Sequence, residues 1–291
     1  MMKLLIKRTG LLLALCLPLI AQAKTSVWQV TKGDNTIYIG GTVHILPADA
    51  FPLPPEFKYA YDRADKVAFE VDMSLMNQPE TQQKMQSAMF IEENKTLASV
   101  INPQALSALE AYAKANGLPF ANLQRLKPAM ISVMISMMEM RKLGVAGEGV
   151  DAFYDKLAKN DGKERLFLES IDFQIETLLS MGQGQESELI LMTLEQVSDY
   201  KTMLDSMLKG WREGDHQLVV DTVIKPAKEQ SPQLYQQLFV ERNNNWIAHI
   251  DKMMADKPVE LVLVGAGHLY GKESVIELLK NKGYKIKQLN L

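Results

Sequence analysis

Two short apolar runs, each stopping at glycine with a histidine at a fixed distance behind it, constrain this chain more than anything else in it. Near one end Ile37 to Leu46 reads IYIGGTVHIL, and near the other Leu261 to Gly271 reads LVLVGAGHLYG. Each sets a histidine three residues after a glycine, Gly41 to His44 and Gly265 to His268. A β-branched run that ends in glycine suits a buried parallel strand followed by a tight turn, where the missing side chain lets the backbone come close to whatever lies there. Both histidines then belong in a crevice at the carboxyl ends of two strands.

A similar order of elements surrounds each run. Thr25 to Val30 and Thr36 to Ile39 read as a hairpin turning through Lys32-Gly33-Asp34-Asn35, whose second strand runs straight into the first GxxH. A Pro-rich stretch from Pro47 to Pro55, a helical segment at Glu56 to Ala64 and the apolar Lys66 to Asp72 follow. Strand, helical connection, strand is a βαβ unit with a parallel pair. Val259 to Gly271, a helix from Ser274 to Asn281, a stop at Gly283 and a strand from Tyr284 to Leu289 make the second unit.

Between the units, about residues 79–250, apolar residues recur at three and four, and Asn102-Pro103, Gly117-Leu118-Pro119 and Lys127-Pro128 mark helix boundaries. Met130, Met134, Met137, Met138 and Met140 read as pliable core filling. The sequence predicts an α/β fold: one domain over 24–291, its central, mostly parallel sheet built from two similar β-GxxH-α-β units with a long helical insertion between them.

The first 23 residues have a different character. Lys3, Lys7 and Arg8 precede the apolar run Leu11 to Ile20, and Ala21-Gln22-Ala23 gives a small-x-small cleavage site. This reads as a secretory signal peptide cut after Ala23, making the protein exported and periplasmic; the apolar run is about half of the roughly 20 residues a membrane-spanning helix needs. Its removal takes three positive charges from a chain of formal charge −3, leaving −6. An acidic exported chain has no evident reason to bind nucleic acid or anionic lipid. The leader also carries Cys16, the one cysteine. Disulfides and thiolate ligands are thereby excluded from the mature chain, and any metal must be held by His, Asp, Glu or water.

The chemistry then falls on few residues. Glu70 and Asp72 share a face at the end of their strand, with Glu70 the deeper and Asp72 the start of a loop. Lys163 to Glu169, KERLFLE, is a third short strand ending in a carboxylate, which adds Glu169 as a weaker member or as an acid at a helix N-terminus. His216 and His249 read as surface residues. Two imidazoles and a carboxylate, His44, His268 and Glu70, are a common ligand set for a divalent ion that keeps open positions, and such an ion acidifies its water for hydrolysis. Without a metal, one histidine could act as base with Glu70 orienting it. The glycines of GAGHLYG do not make a dinucleotide fingerprint, because the third comes one position late and the acid expected about 20 residues on is missing. GxSxG, Walker and HExxH patterns are also missing.

Taken together, GTVH (Gly41 to His44), Phe69-Glu70, Leu126-Lys127-Pro128, Leu168-Glu169-Ser170 with Gln174, Trp211 to Asp215 (WxxGD), Glu241-Arg242-Asn243 and GAGHLYG (Gly265 to Gly271) occur in an order that resembles the TraB/GumN family. That family is related to Tiki-type metalloproteases and more remotely to erythromycin esterases and ChaN-like proteins. The resemblance implies a Tiki-like α/β fold, with the family's paired GxxH histidines and acid falling on His44, His268 and Glu70, and its last-helix arginine on Arg242. It further implies metal-dependent cleavage of a peptide or amide bond with Mn or Co, Zn being the further candidate, and Arg242 binding substrate or stabilising developing negative charge. The alternatives are a non-catalytic periplasmic protein that holds haem, metal or a peptide in the same crevice, and a metal-independent esterase with a GxxH histidine as base.

Overall fold

The structure, a computed structural model, describes residues 24–291; the leader expected over 1–23 lies outside them. Eight strands, β1 (Val27–Lys32), β2 (Asn35–Thr42), β3 (Ile45–Pro47), β4 (Lys66–Phe69), β5 (Val145–Glu148), β6 (Glu164–Phe167), β7 (Glu260–Gly265) and β8 (Lys285–Gln288), are set among many helices. Six of them form a mixed sheet in the order β6-β4-β7-β2-β1-β8. In it β6, β4, β7 and β2 run parallel, and β1 is antiparallel to both its neighbours. The α/β fold is the one the sequence predicts.

Each strand's pattern explains its place. Strand β7 (ELVLVG) is buried along nearly its whole length, as a strand covered on both faces must be, and it takes the middle of the sheet. Strand β8 (KIKQ) alternates exposed lysine with half-buried residues and lies at an edge, where charge discourages further pairing. The β1–β2 hairpin turns at Gly33, whose φ of +62° a residue with a Cβ rarely adopts.

One expectation changes. Strands β2 and β4 are parallel but not paired, because β7 inserts between them, with Tyr38 opposite Leu261 on one side and Lys66 opposite Glu260 on the other. The physical reason is burial: the run that is apolar on both faces displaces the pair expected from chain order. The consequence matters for function. Thr42 lies opposite Gly265 and Phe69 opposite Leu263, so β2, β7 and β4 end side by side at one rim of the sheet.

The stretch read as helical insertion also contains two strands. The Lys163 to Glu169 candidate appears as β6, paired with β4 at the sheet edge, whereas β5 pairs antiparallel with β3 beside the first GxxH. A second core, built from Leu97, Leu109, Ile131, Ile135 and Ile190, holds the helices around Pro128–Lys142 together. Isoleucines fill it; Met134 packs against it from the side, and Met137 is 37% exposed.

At the far end of β7, away from the rim, Glu260 is 2% exposed and its Oε2 has no hydrogen-bond partner. Burial, opposed by Lys66 and aided by Asp256, pushes its carboxyl up to about 7. A folded-state pKa above the unfolded one means that the stability contribution is complete below about pH 4.5 and is lost as pH rises through 7. Glu260→Gln is therefore expected to melt several degrees above the parent at pH 8 and level with it at pH 4, as differential scanning fluorimetry would show.

A candidate active site at the rim of the sheet

The elements that end at this rim deliver the candidate residues to one place. His44 follows β2, Glu70 follows β4, Glu169 follows β6, and His268 lies in the single helical turn Ala266–Leu269 behind β7. The helix Glu241–Met253 supplies Arg242. Convergence is measurable at Gly265, where a Cβ would lie 3.3 Å from Glu70 Oε1, 3.5 Å from His268 Cδ2 and 3.7 Å from His44 Nε2. A Cβ there would press slightly on Glu70 Oε1 and make ordinary contact with the two imidazoles.

Arg242 is the hub. Its Nη2 donates to Glu70 Oε2 at 2.6 Å, its Nε and Nη2 donate to Glu169 at 2.9 Å each, and its Nη1 lies 3.2 Å from His268 Nε2. Glu70 takes a further hydrogen bond on Oε1 from the Gly265 N–H (2.6 Å) and one on Oε2 from Gln174 (3.1 Å). Desolvation alone would raise the Glu70 carboxyl, but Arg242, the two histidines and the Gly265 amide outweigh it and hold the group well below the usual carboxylate range. Glu70 is thus an anion at neutral pH.

The tautomer of His268 follows from its neighbour. Asn243 Nδ2 donates to the Glu273 carbonyl, so its Oδ1 is the atom facing His268 Nδ1 at 2.6 Å, and Nδ1 must carry the proton. Nε2 is left as an acceptor turned to Arg242. Burial, with Arg242 reinforcing it against Glu70, drives the ring's pKa far below its ordinary value, so it is neutral. Trp246 packs on the ring at 4.4 Å between centroids and donates its Nε1–H to Glu169.

His44 differs from its partner in being accessible, with a side chain 62% exposed. Asp151 Oδ1 lies 3.2 Å from its Nδ1, near enough for an ion pair but not aligned as a hydrogen bond. Desolvation works against the charged ring, yet Asp151 and then Glu70 outweigh it and raise its pKa above the ordinary range. The backbone around His44 is fixed from two sides. Val150 N–H donates to the Val43 carbonyl, and a Cβ on Gly149 would overlap the His44 carbonyl. Trp211, from the WxxGD stretch, donates its Nε1–H to the Gly41 carbonyl at 2.6 Å, so that motif serves to hold the first GxxH in place.

All five candidates, His44, Glu70, Glu169, Arg242 and His268, are therefore neighbours at one rim, where His44, Glu70 and Arg242 line a crevice and the side chains of Glu169 and His268 are buried against Arg242. Asp72 is not with them: its side chain caps the turn at Ser74 and lies 3.7 Å from Arg165. Sequence reasoning missed Asp151 and Asn243, which lie behind the two imidazoles at their Nδ1 atoms. Asn243 had a signal, since it shares one helical turn with Arg242 and Trp246; Asp151 had none.

The residues suit a divalent ion in kind. Each imidazole is engaged at Nδ1 from outside, leaving Nε2 inward, as in metal-binding histidines. As arranged, however, they do not fit one. Among the described residues no three His, Cys, Asp or Glu side chains gather at ligand spacing, and the Arg242 guanidinium already occupies His268 Nε2 and one oxygen of Glu70.

The sheet rim of this α/β protein thus carries two imidazoles, a buried carboxylate and a fixed guanidinium. The chain belongs to the TraB/PrgY/gumN family, whose profile it matches over residues 26–288. It is 25% identical over 252 residues to the protein YbaP of Escherichia coli (strain K12), covering 85% of this chain and 89% of YbaP. It is 21% identical over 327 residues to a Metalloprotease TIKI homolog of Amphimedon queenslandica, covering 93% of this chain and 62% of that protein. It is also 21% identical over 301 residues to Metalloprotease TIKI2 of Danio rerio, covering 86% of this chain and 57% of the relative. No solved structure matches. Among the described residues no helix is long and apolar enough to cross a membrane.

Proposed function

We propose that this protein is an exported hydrolase that cleaves a peptide or amide bond at the rim crevice. The observation that carries the reading is the convergence of His44, Glu70 and His268 on Gly265 with Arg242 locked among them. In that arrangement His44 Nε2, accessible at the crevice mouth, moves the proton that hydrolysis requires. Arg242 spends its N–H groups on Glu70, Glu169, His268 and the Leu238 carbonyl, and would meet a developing oxyanion only by releasing one of them. Glu70 and Asn243 keep Arg242 and His268 in their orientations.

The relatives named metalloproteases support a metal-dependent form of this reading, in which His44, His268 and Glu70 would hold Mn, Co or Zn only after Arg242 had left His268 Nε2 and Glu70; a bound ion would supply an acidified water. A second reading, the same hydrolysis without an ion, is favoured by the guanidinium that already neutralises Glu70 and engages His268. A non-catalytic haem site finds less support, because the crevice, of about 250 Å³, falls below the ~300 Å³ lower end of small-molecule sites.

The test is cleavage of an unfolded protein substrate by the purified chain after chelation, followed by mass spectrometry. Activity that returns with Mn, Co or Zn, together with a higher melting temperature from ion binding, establishes the metal-dependent form. Activity that persists in chelator establishes the metal-free one. No cleavage under either condition contradicts the hydrolase reading.

A further inference from the structure

The crevice has an apolar side that the polar residues do not use. Met73 and Met76, from the turn after β4, and Met85, from the helix Pro79–Ala88, face Ile171, Leu178 and Leu238 across the cavity that also contains His44, Glu70 and Arg242. None of the three methionines is buried, and Met73 is 53% exposed, so all three are open to a ligand in the cavity. Methionine is unbranched and polarizable, and a wall of it adapts to apolar groups of different shape. At about 250 Å³ the cavity has room for one large side chain.

The buried Ile175, on the helix Ile171–Leu179, stands in a wall shared by this crevice and a larger groove of about 1100 Å³. That groove has an apolar floor including Phe90, itself 40% exposed, and a rim on which Lys84, Lys127 and Arg125 alternate with Glu92 and Glu176. A narrow apolar pocket beside the reacting groups, with a larger groove of mixed charge on the other side of Ile175, suits a polypeptide that anchors one side chain and runs on over the helix between them. A small ester or amide would use the pocket and leave the groove empty.

We infer that the methionine wall is a specificity pocket for a large apolar side chain of a polypeptide substrate, next to the bond presented to His44 and Arg242, with the rest of the segment lying along the helix Ile171–Leu179. The inference rests on the hydrolase reading for the position of the bond, and the two can fail separately.

The experiment uses the purified full chain and a set of short, end-blocked, fluorescently labelled peptides that differ only in a central Leu, Met, Phe, Ala or Asp. Binding is read by anisotropy and cleavage by mass spectrometry. The Leu, Met and Phe peptides are expected to bind at least about tenfold more tightly than the Ala and Asp peptides, the scale on which apolar pockets discriminate. Met73→Glu, at a position exposed enough to accept the charge, and Met85→Glu should abolish that preference with unchanged melting temperatures, and Met85→Leu should retain it. Equal binding of all five peptides, or a preference that survives both glutamate variants, overturns the pocket even if cleavage is seen. A preference without cleavage upholds the pocket and removes the hydrolase reading.

Discussion

Replacing Arg242 with alanine is expected to lower the stability of the fold by about 3–5 kcal/mol, the usual result of breaking a buried ion pair from one side. The guanidinium is 10% exposed, and its partners Glu70 and Glu169 are 9% and 5% exposed at their side chains. Without it two carboxylates remain in a poorly hydrated crevice with no cation between them, and His268 Nε2 loses its donor. The cost arises from the charges left unpaired more than from the packing of the arginine itself. Lysine should for that reason restore only part of it: one ammonium cannot reproduce the fork that reaches both acids and the imidazole. Urea unfolding of the parent, Arg242→Ala and Arg242→Lys measures this directly. The surface pair Lys201–Asp205, with side chains 71% and 60% exposed, provides the contrast, since breaking it should change stability by less than about 1 kcal/mol. An Arg242→Ala protein as stable as its parent would mean that the acids are not held as described.

What the sequence makes legible follows from how local the signal is. The two GxxH strands stand out because β7 is apolar on both faces and β2 carries its two glycines near its end, and an acid just past each of two neighbouring strands marks Glu70 and Glu169. The placement of β7 between β2 and β4 is not local: it depends on which strand loses most by being at an edge, and the chain order suggests a different pair. Strand β5 (VAGE) is too short and too rich in glycine to show as a strand; it exists because β3 pairs with it. Asp151 reads like any acid in the first turn of a helix, and only the packing of that helix against the His44 backbone gives it a second use. Arg242 has no pattern of its own either, and its assignment rests on the family resemblance and then on its buried partners Glu70, Glu169 and His268.

The second large effect concerns His44, and it separates chemistry from folding. Unlike Arg242, its ring is mostly exposed and its one close polar partner is Asp151, so His44→Ala should change the melting temperature by no more than a few degrees. Both forms of the hydrolase reading nevertheless place His44 at the reacting atoms, as a proton carrier or as a ligand, and loss of a positioned acid–base group lowers rates by about 10²–10⁴. The measurement that bears most directly on the whole account is therefore the rate at which parent and His44→Ala proteins, with matched melting temperatures, cut the same peptide. A rate reduced at least about a hundredfold in a stably folded variant is the predicted result. A His44→Ala protein that cuts as fast as its parent would contradict it, and the rim crevice would no longer be the active site.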